Sequence, residues 1–274
     1  MLSEASSTNQ DSLPASRGTS AHPKTALVLS GGGMFGAYQA GVWSVLAEFW
    51  KPDLVVGASV GSLNGWAIAG GATGEDLHRS WLDPRRAEEH RYRWPRSLND
   101  GFIDPSSLER WIQELHSQWT PRCEVGVALT EMWSFGLRLA RNTQVTWQHL
   151  AASCGVPLFL PSYVIDGRRY ADGGLVTPLP LWGALEMGAE RIVSVNLLGA
   201  RANPVMAAGA RLLRWKTGFE LHVPGSAKLV QINPKPALGA PQQMIFWQRD
   251  RIERWFDRGR QDALTKKQFV CDMF

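Results

Sequence analysis

The chain of 274 residues contains no apolar run approaching the roughly 18 residues that a membrane-spanning helix needs, so it is not read as a transmembrane protein. Cysteine is scarce as well: Cys123, Cys154 and Cys271 are far apart and odd in number, with no CxxC pair and no Cys/His metal spacing. That pattern argues against a disulfide framework, favours a reducing compartment, and leaves no metal and no other cofactor expected. Charge of one sign is equally thin. A formal net charge of +4 with no basic stripe on a known recognition motif gives no reason to expect a nucleic-acid partner. There is no internal repeat, and no signal for an oligomeric state. The opening segment lacks a basic stretch followed by an apolar one, so it is not expected to be a signal peptide. Residues 1–24 are polar and Ser/Thr-rich and are expected to be disordered.

What is present suits a globular domain: 44% hydrophobic and 20% charged residues, in a chain long enough for one large α/β domain or two small ones. The thirteen tryptophans are assigned first to the core, although Trp also favours interfaces where one edge of the ring stays wet.

Residues Thr25 to Leu29 form an aliphatic run that ends in glycines, the pattern of a buried strand. Gly36 to Trp50 carries Tyr38, Val42, Val45, Leu46 and Phe49 at helical spacing and is closed by Pro52. Asp53 to Val56 is a second short strand, followed by a helix over Val60 to Ala69. This order implies a parallel crossover, with both glycine turns at the carboxyl ends of neighbouring strands, where open α/β sheets bind ligands. Glu75 to Trp94, rich in arginine, is expected to be a solvated loop with some buried aromatics, or a lid beside the site.

Farther along, Asp104-Pro105 opens a helix, Glu124 to Leu129 is a strand, and Thr146 to Ala152 is a helix. Asp166-Gly167 is the strongest hairpin signal in the chain. Leu181 to Met187 is helical, and Arg191 to Leu197 and Lys228 to Ile232 are strand-like. Pro204 to Phe219 is assigned as helix with a basic and aromatic cluster, and Gln242 to Leu264 as a long closing helix.

Three motifs carry chemistry. Gly57-Ala58-Ser59-Val60-Gly61 fits G-x-S-x-G, in which a tight strand-to-helix turn presents the serine hydroxyl and small neighbours relieve the crowding. Gly31-Gly32-Gly33-Met34-Phe35-Gly36 fits G-x-G-x-x-G, whose amides can converge on a phosphate or on a developing oxyanion at a helix N-terminus. The phosphate option gives a dinucleotide-binding oxidoreductase as a rival, and that motif expects an acid at the end of the second strand. Asp53 opens that strand instead, and Gly57-Ala58-Ser59 occupies the place of the acid, which favours an oxyanion hole beside a serine. Asp172-Gly173-Gly174 supplies a carboxylate in a turn, able to serve as the base that a serine nucleophile needs or simply to cap the turn.

In this order and spacing the three motifs resemble the patatin-like phospholipase family, from about Ala26 to Leu197 and including ASCGVPLFLPSYVIDGRRYADGGLVTPLP. The resemblance implies a three-layer α/β/α fold with a mainly parallel central sheet and a metal-independent lipid acyl hydrolase with a Ser-Asp dyad. Carried over, Ser59 is the nucleophile, Asp172 the base, and the amides of Gly31 to Gly36 the oxyanion hole. The implied partner is an acyl lipid, reached in the cytoplasm or by peripheral membrane contact. Residues 25–200 would form the catalytic core, and 201–274 an α/β extension packing on the same domain.

One departure stands out. The family usually carries Arg or Lys where this chain has Phe35, which raises a non-catalytic lipid-binding protein on the same scaffold as the alternative. A triad version would add His222, which follows Ser59 and Asp172 in the order of α/β-hydrolases.

Overall fold

Alternation along the central strands dictates a sheet buried on both faces. In β1 (Thr25–Leu29), Leu27 and Leu29 point into one apolar cluster while Ala26 and Val28 point into another. In β2 (Leu54–Gly57), Val55 faces the first cluster and Leu54 and Val56 the second. A strand covered on both sides reads as a continuous aliphatic run, which is how these segments look in sequence. The computed structural model describes residues 22–85, 94, 100–198, 211–212, 215–216 and 218–274.

Among the described residues the sheet has eight strands, in the order β5-β6-β3-β2-β1-β7-β8 with β4 on β3. The remaining strands are β3 (Glu124–Glu131), β4 (Leu137–Arg141), β5 (Tyr163–Ile165), β6 (Arg168–Asp172), β7 (Arg191–Val195) and β8 (Lys228–Ile232). The run β3-β2-β1-β7-β8 is parallel throughout, whereas β4 and β6 are antiparallel to β3, and β5 to β6. Helices α1 (Gly36–Leu46), α2 (Val60–Ala69), α3 (Gly74–Trp81), α4 (Ser106–Gln118), α5 (Trp147–Ser153) and α7 (Arg249–Cys271) contribute to the larger cluster on one face. On the other face lies α6 (Leu181–Glu186). The result is the three-layer α/β/α arrangement with a mostly parallel central sheet.

Helix α1 is buried nearly all round because α7 covers its outer side. The crossing is close: a Cβ at Gly41 would overlap the Phe256 carbonyl, and one at Gly259 the Tyr38 carbonyl. The Tyr38 hydroxyl donates to Asp262 at 2.8 Å across the same contact.

Several boundaries differ from the sequence-based expectations. Glu75 to Trp81 is helix instead of loop, since Thr73 and Asp76 form a capping box and Leu77 and Trp81 are buried. Within the expected arginine-rich loop, 86–93 lie outside the described residues. So do 1–21 of the expected disordered segment and most of the expected helix over Pro204 to Phe219. Lys24 is tied down, its Nζ donating to Glu124 at 2.6 Å and to the Met187 carbonyl at 3.1 Å. The expected closing helix divides into a 3-10 turn at Pro241–Met244 and α7, which begins at Arg249. The expected strand over Glu124 to Leu129 runs on to Glu131, and a turn then leads into β4.

Candidate active site

The register of β3 brings the two candidate catalytic residues together. Gly126 and Val127 pair with both β2 and β4, so those strands lie on opposite edges of β3. Leu129 and Thr130 pair with both β4 and β6, so β6 shares the β2 edge and occupies it above the point where β2 ends. Running antiparallel, β6 descends towards the end of β2 and finishes at Asp172, opposite Leu129. The last residue of β2, Gly57, is opposite Val127, and Ser59 follows two residues later. Serine and aspartate therefore meet end to end on one strand edge.

Ser59 caps α2 with φ 53° and ψ −131°, a conformation that non-glycine residues rarely hold. Its neighbours leave no room for side chains. A Cβ at Gly57 would strike the Gly61 carbonyl, and a Cβ at Gly61 the Leu29 carbonyl. The strained turn is secured by bonds from outside it. The Ser59 amide donates to Ser153 Oγ at 2.9 Å, and Ser153 Oγ donates to the Ala128 carbonyl at 2.8 Å. The Ser59 carbonyl accepts from Ser62 Oγ at 2.7 Å and from the Ser62 amide at 2.8 Å.

The Ser59 side chain lies beside the Asp172 carboxyl. Burial lifts that carboxyl from 3.8 to about 6, against the opposing pull of Ser59 and of a hydrogen bond from the Gly174 amide. The Gly174 bond is 2.6 Å. The Asp172 backbone is fixed by its amide donating to Gly155 at 3.0 Å and its carbonyl accepting from Thr130 Oγ1 at 2.9 Å. Gly173 is required here because a Cβ would overlap the Ala128 carbonyl.

The glycine loop stands beside the serine: a Cβ at Gly31 would come within 3.2 Å of Ser59 Cβ. Its amides divide into two sets. The Gly31 amide donates to Pro178 at 3.0 Å, Phe35 to Gly32 at 3.2 Å, and Gly36 to Gly33 and Met34. Among the described residues, the amides of Gly32, Gly33 and Met34 donate to no protein acceptor. Of the residues Gly31 to Gly36 expected to form an oxyanion hole, the 3-10 turn and Pro178 thus engage the amides of Gly31, Phe35 and Gly36. Gly33 has φ 54°, and a side chain there would run into the Met244 carbonyl.

Two residues that sequence reasoning missed, Gln39 on α1 and Asn64 on α2, hold both ends of this loop. Asn64 Nδ2 donates at 3.0 Å to the Gly36 carbonyl and at 3.0 Å to Gln39 Oε1, while Trp81 Nε1 donates to Asn64 Oδ1 at 3.1 Å. Gln39 Nε2 in turn donates to the Ser30 carbonyl at 2.7 Å. Their sequence signal is a lone amide side chain within a helical run that has no charged residue, which must find partners if buried.

Phe35 is buried, its ring meeting that of Trp255 edge to face at 4.8 Å. The position thus packs against α7 instead of supplying charge. His222 is exposed, ahead of β8, and among the described residues makes no hydrogen bond with Ser59 or Asp172. Asp53, the nearest candidate for a ribose acid, precedes β2 and accepts from the Thr25 amide and hydroxyl, each at 2.8 Å. That is the amino end of the strands, opposite the glycine loop. No group of three or more His, Cys, Asp or Glu among the described residues could hold a metal ion.

The family model described as patatin-like phospholipase matches residues 27–185. Mouse patatin-like phospholipase domain-containing protein 6 is 25% identical over 212 residues, covering 69% of this chain and 15% of that protein. An NTE family protein of Mycobacterium tuberculosis is 28% identical over 209 residues, covering 70% of this chain and 54% of the relative. Lysophospholipase NTE1 of Mycosarcoma maydis is 29% identical over 202 residues, covering 69% and 10% respectively. The chain thus spans between a tenth and about half the length of these relatives. Among solved structures, VipD from Legionella pneumophila aligns with a TM-score of 0.49 at 14% identity, covering 92% of this chain and 67% of that one.

Proposed function

We propose that this chain, which belongs to the patatin-like phospholipase family, hydrolyses fatty-acyl esters of lipids through a Ser59–Asp172 dyad and an acyl-enzyme. The observation that carries the reading is Ser59, held in a strained turn beside a buried carboxyl whose pKa burial raises to about 6. A base poised near working pH can accept a proton and then return it. The similarity to a protein named lysophospholipase supports an acyl lipid as substrate.

In the first step Asp172 takes the Ser59 proton as Oγ attacks the ester carbonyl. The resulting oxyanion is received by the amides of Gly32, Gly33 and Met34. Collapse expels the alcohol half of the ester, which takes the proton from Asp172. A water then gives its proton to Asp172 and attacks the acyl-enzyme, and the proton returns to Ser59 as the fatty acid leaves. One amide donor of an oxyanion hole is worth about 3 kcal/mol, so backbone groups can sustain turnover with Phe35 in place of a cation. The catalytic core is assigned to residues 25–200, with 201–274 as part of the same domain, supported by β8 pairing with β7 and α7 lying on α1.

Hydrolysis of a p-nitrophenyl acyl ester tests the assignment. Ser59→Ala is expected to lose turnover by at least about a thousandfold, and Asp172→Asn to be similarly impaired. Full turnover in both variants would mean that the dyad is wrong. The buried Phe35 favours one other reading, a lipid-binding protein that does no chemistry. Ester turnover that depends on Ser59 excludes it.

A further inference from the structure

We propose that Trp133 and Trp215, with the cations around them, form the surface by which this chain docks on an anionic lipid bilayer. The inference rests on the acyl-lipid reading of the site. Trp is a largely buried residue type in folded proteins, yet Trp133 is 86% and Trp215 81% exposed. They are far apart in sequence, but one contact joins their segments: Lys216 Nζ lies 5.0 Å from the centroid of the Phe135 ring. Trp133 and Phe135 sit in the turn between β3 and β4, at the carboxyl end of the parallel strands. The same strand β3 pairs with Asp172 through Leu129, so the aromatic turn and the candidate dyad share one end of the sheet.

Charge selects the partner. The Met132 amide donates to the Arg169 carbonyl at 2.9 Å, which brings the start of β6 beside the aromatic turn. Arg168 and Arg169 open β6 there, Lys216 lies over Phe135, and Asp166 is the one acid of the adjoining hairpin turn. Glu131 is already engaged, by Arg138 at 3.6 Å and by Ser134 Oγ at 2.7 Å. Indole rings prefer the headgroup level of a bilayer, and lysine and arginine beside them are attracted by anionic headgroups. Docking by this face presents the carboxyl ends of the strands, and with them Ser59, to the lipid. Among the described residues no helix is long and apolar enough to cross a membrane, so contact by these residues would be peripheral.

Co-sedimentation of the full chain with phosphatidylcholine vesicles, with and without phosphatidylserine, tests the surface. Wild type and Ser59→Ala are expected to bind the anionic vesicles alike. The double variant Trp133→Ala/Trp215→Ala is expected to bind about tenfold more weakly, while its turnover of a soluble short-chain ester stays within about twofold of wild type. Phe269→Ala is the control. It removes another exposed aromatic with a lysine over its ring, on α7, whose end lies by Arg191 at the amino end of β7, and should bind as wild type does. Equal binding by wild type and the double variant, an equal loss in Phe269→Ala, or no vesicle binding by wild type overturns the surface. A wild type that binds vesicles through the two tryptophans but turns over no ester supports the surface and contradicts the hydrolase reading.

Discussion

The two glycine turns differ in what holds them. The turn from Gly57 to Gly61 is constrained by backbone it meets at once: its own Gly61 carbonyl and the end of neighbouring β1. The loop from Gly31 to Gly36 is shaped from a distance, by Leu197 against Gly32, by Met244 against Gly33, and by the amides of Gln39 and Asn64 at its two ends. Backbone atoms of a central strand cannot retreat, whereas a side chain or the Pro241–Met244 segment can. One turn is therefore rigid by construction, and the other only as rigid as its supports.

That contrast is most easily broken by adding a methyl group to each turn. Gly61→Ala should cost about 3 kcal/mol or more of stability and remove activity with the fold, as read by urea denaturation. Gly33→Ala should instead keep most of the stability, because Met244 can shift, while kcat falls about a hundredfold through misplaced amides. Equal unfolding by the two would erase the distinction. Asn64→Ala is a smaller perturbation. It removes the acceptor of the Trp81 indole N–H and a donor to the Gly36 carbonyl, and should cost about 2 kcal/mol together with about a tenfold loss of kcat.

The difference also decides what was legible in the sequence. G-x-S-x-G is readable because its glycines and serine fall within five consecutive residues, and Asp166-Gly167 because both residues must take positive φ, as they do at 49° and 73°. The strands could be read for a similar reason, since a run buried on both faces is aliphatic throughout. The supports of the glycine loop could not be read, because Asn64 and Gln39 act across elements that only the folded chain brings together. The division of the loop amides into used and free was hidden for the same reason: the acceptor for Gly31 is Pro178, far along the chain. Helix α3 is a different case, a legible signal passed over, with Thr73 and Asp76 forming its capping box.

The smallest expected effect concerns the cost of keeping Asp172 buried. Its carboxyl is raised from 3.8 to about 6 in the fold, so the folded state holds the proton more tightly than the unfolded chain. The resulting stabilisation is full below about pH 4 and is lost as pH rises through about 6. Asp172→Asn should therefore match wild-type stability near pH 4 and exceed it above pH 7 by on the order of 1 to 2 kcal/mol, while activity is lost. Thermal denaturation at the two pH values checks the sign. A variant less stable than wild type at high pH would show that the carboxylate stabilises the turn instead of straining it.

The most direct test of the dyad is the pH dependence of covalent labelling by a fluorophosphonate, with the modified peptide identified by mass spectrometry. The account predicts a single adduct on Ser59, forming at a rate that rises through about pH 6 as Asp172 ionises and then levels off, with no such rise in Asp172→Asn. An adduct on another residue, or a Ser59 rate that ignores both pH and the loss of Asp172, would contradict it.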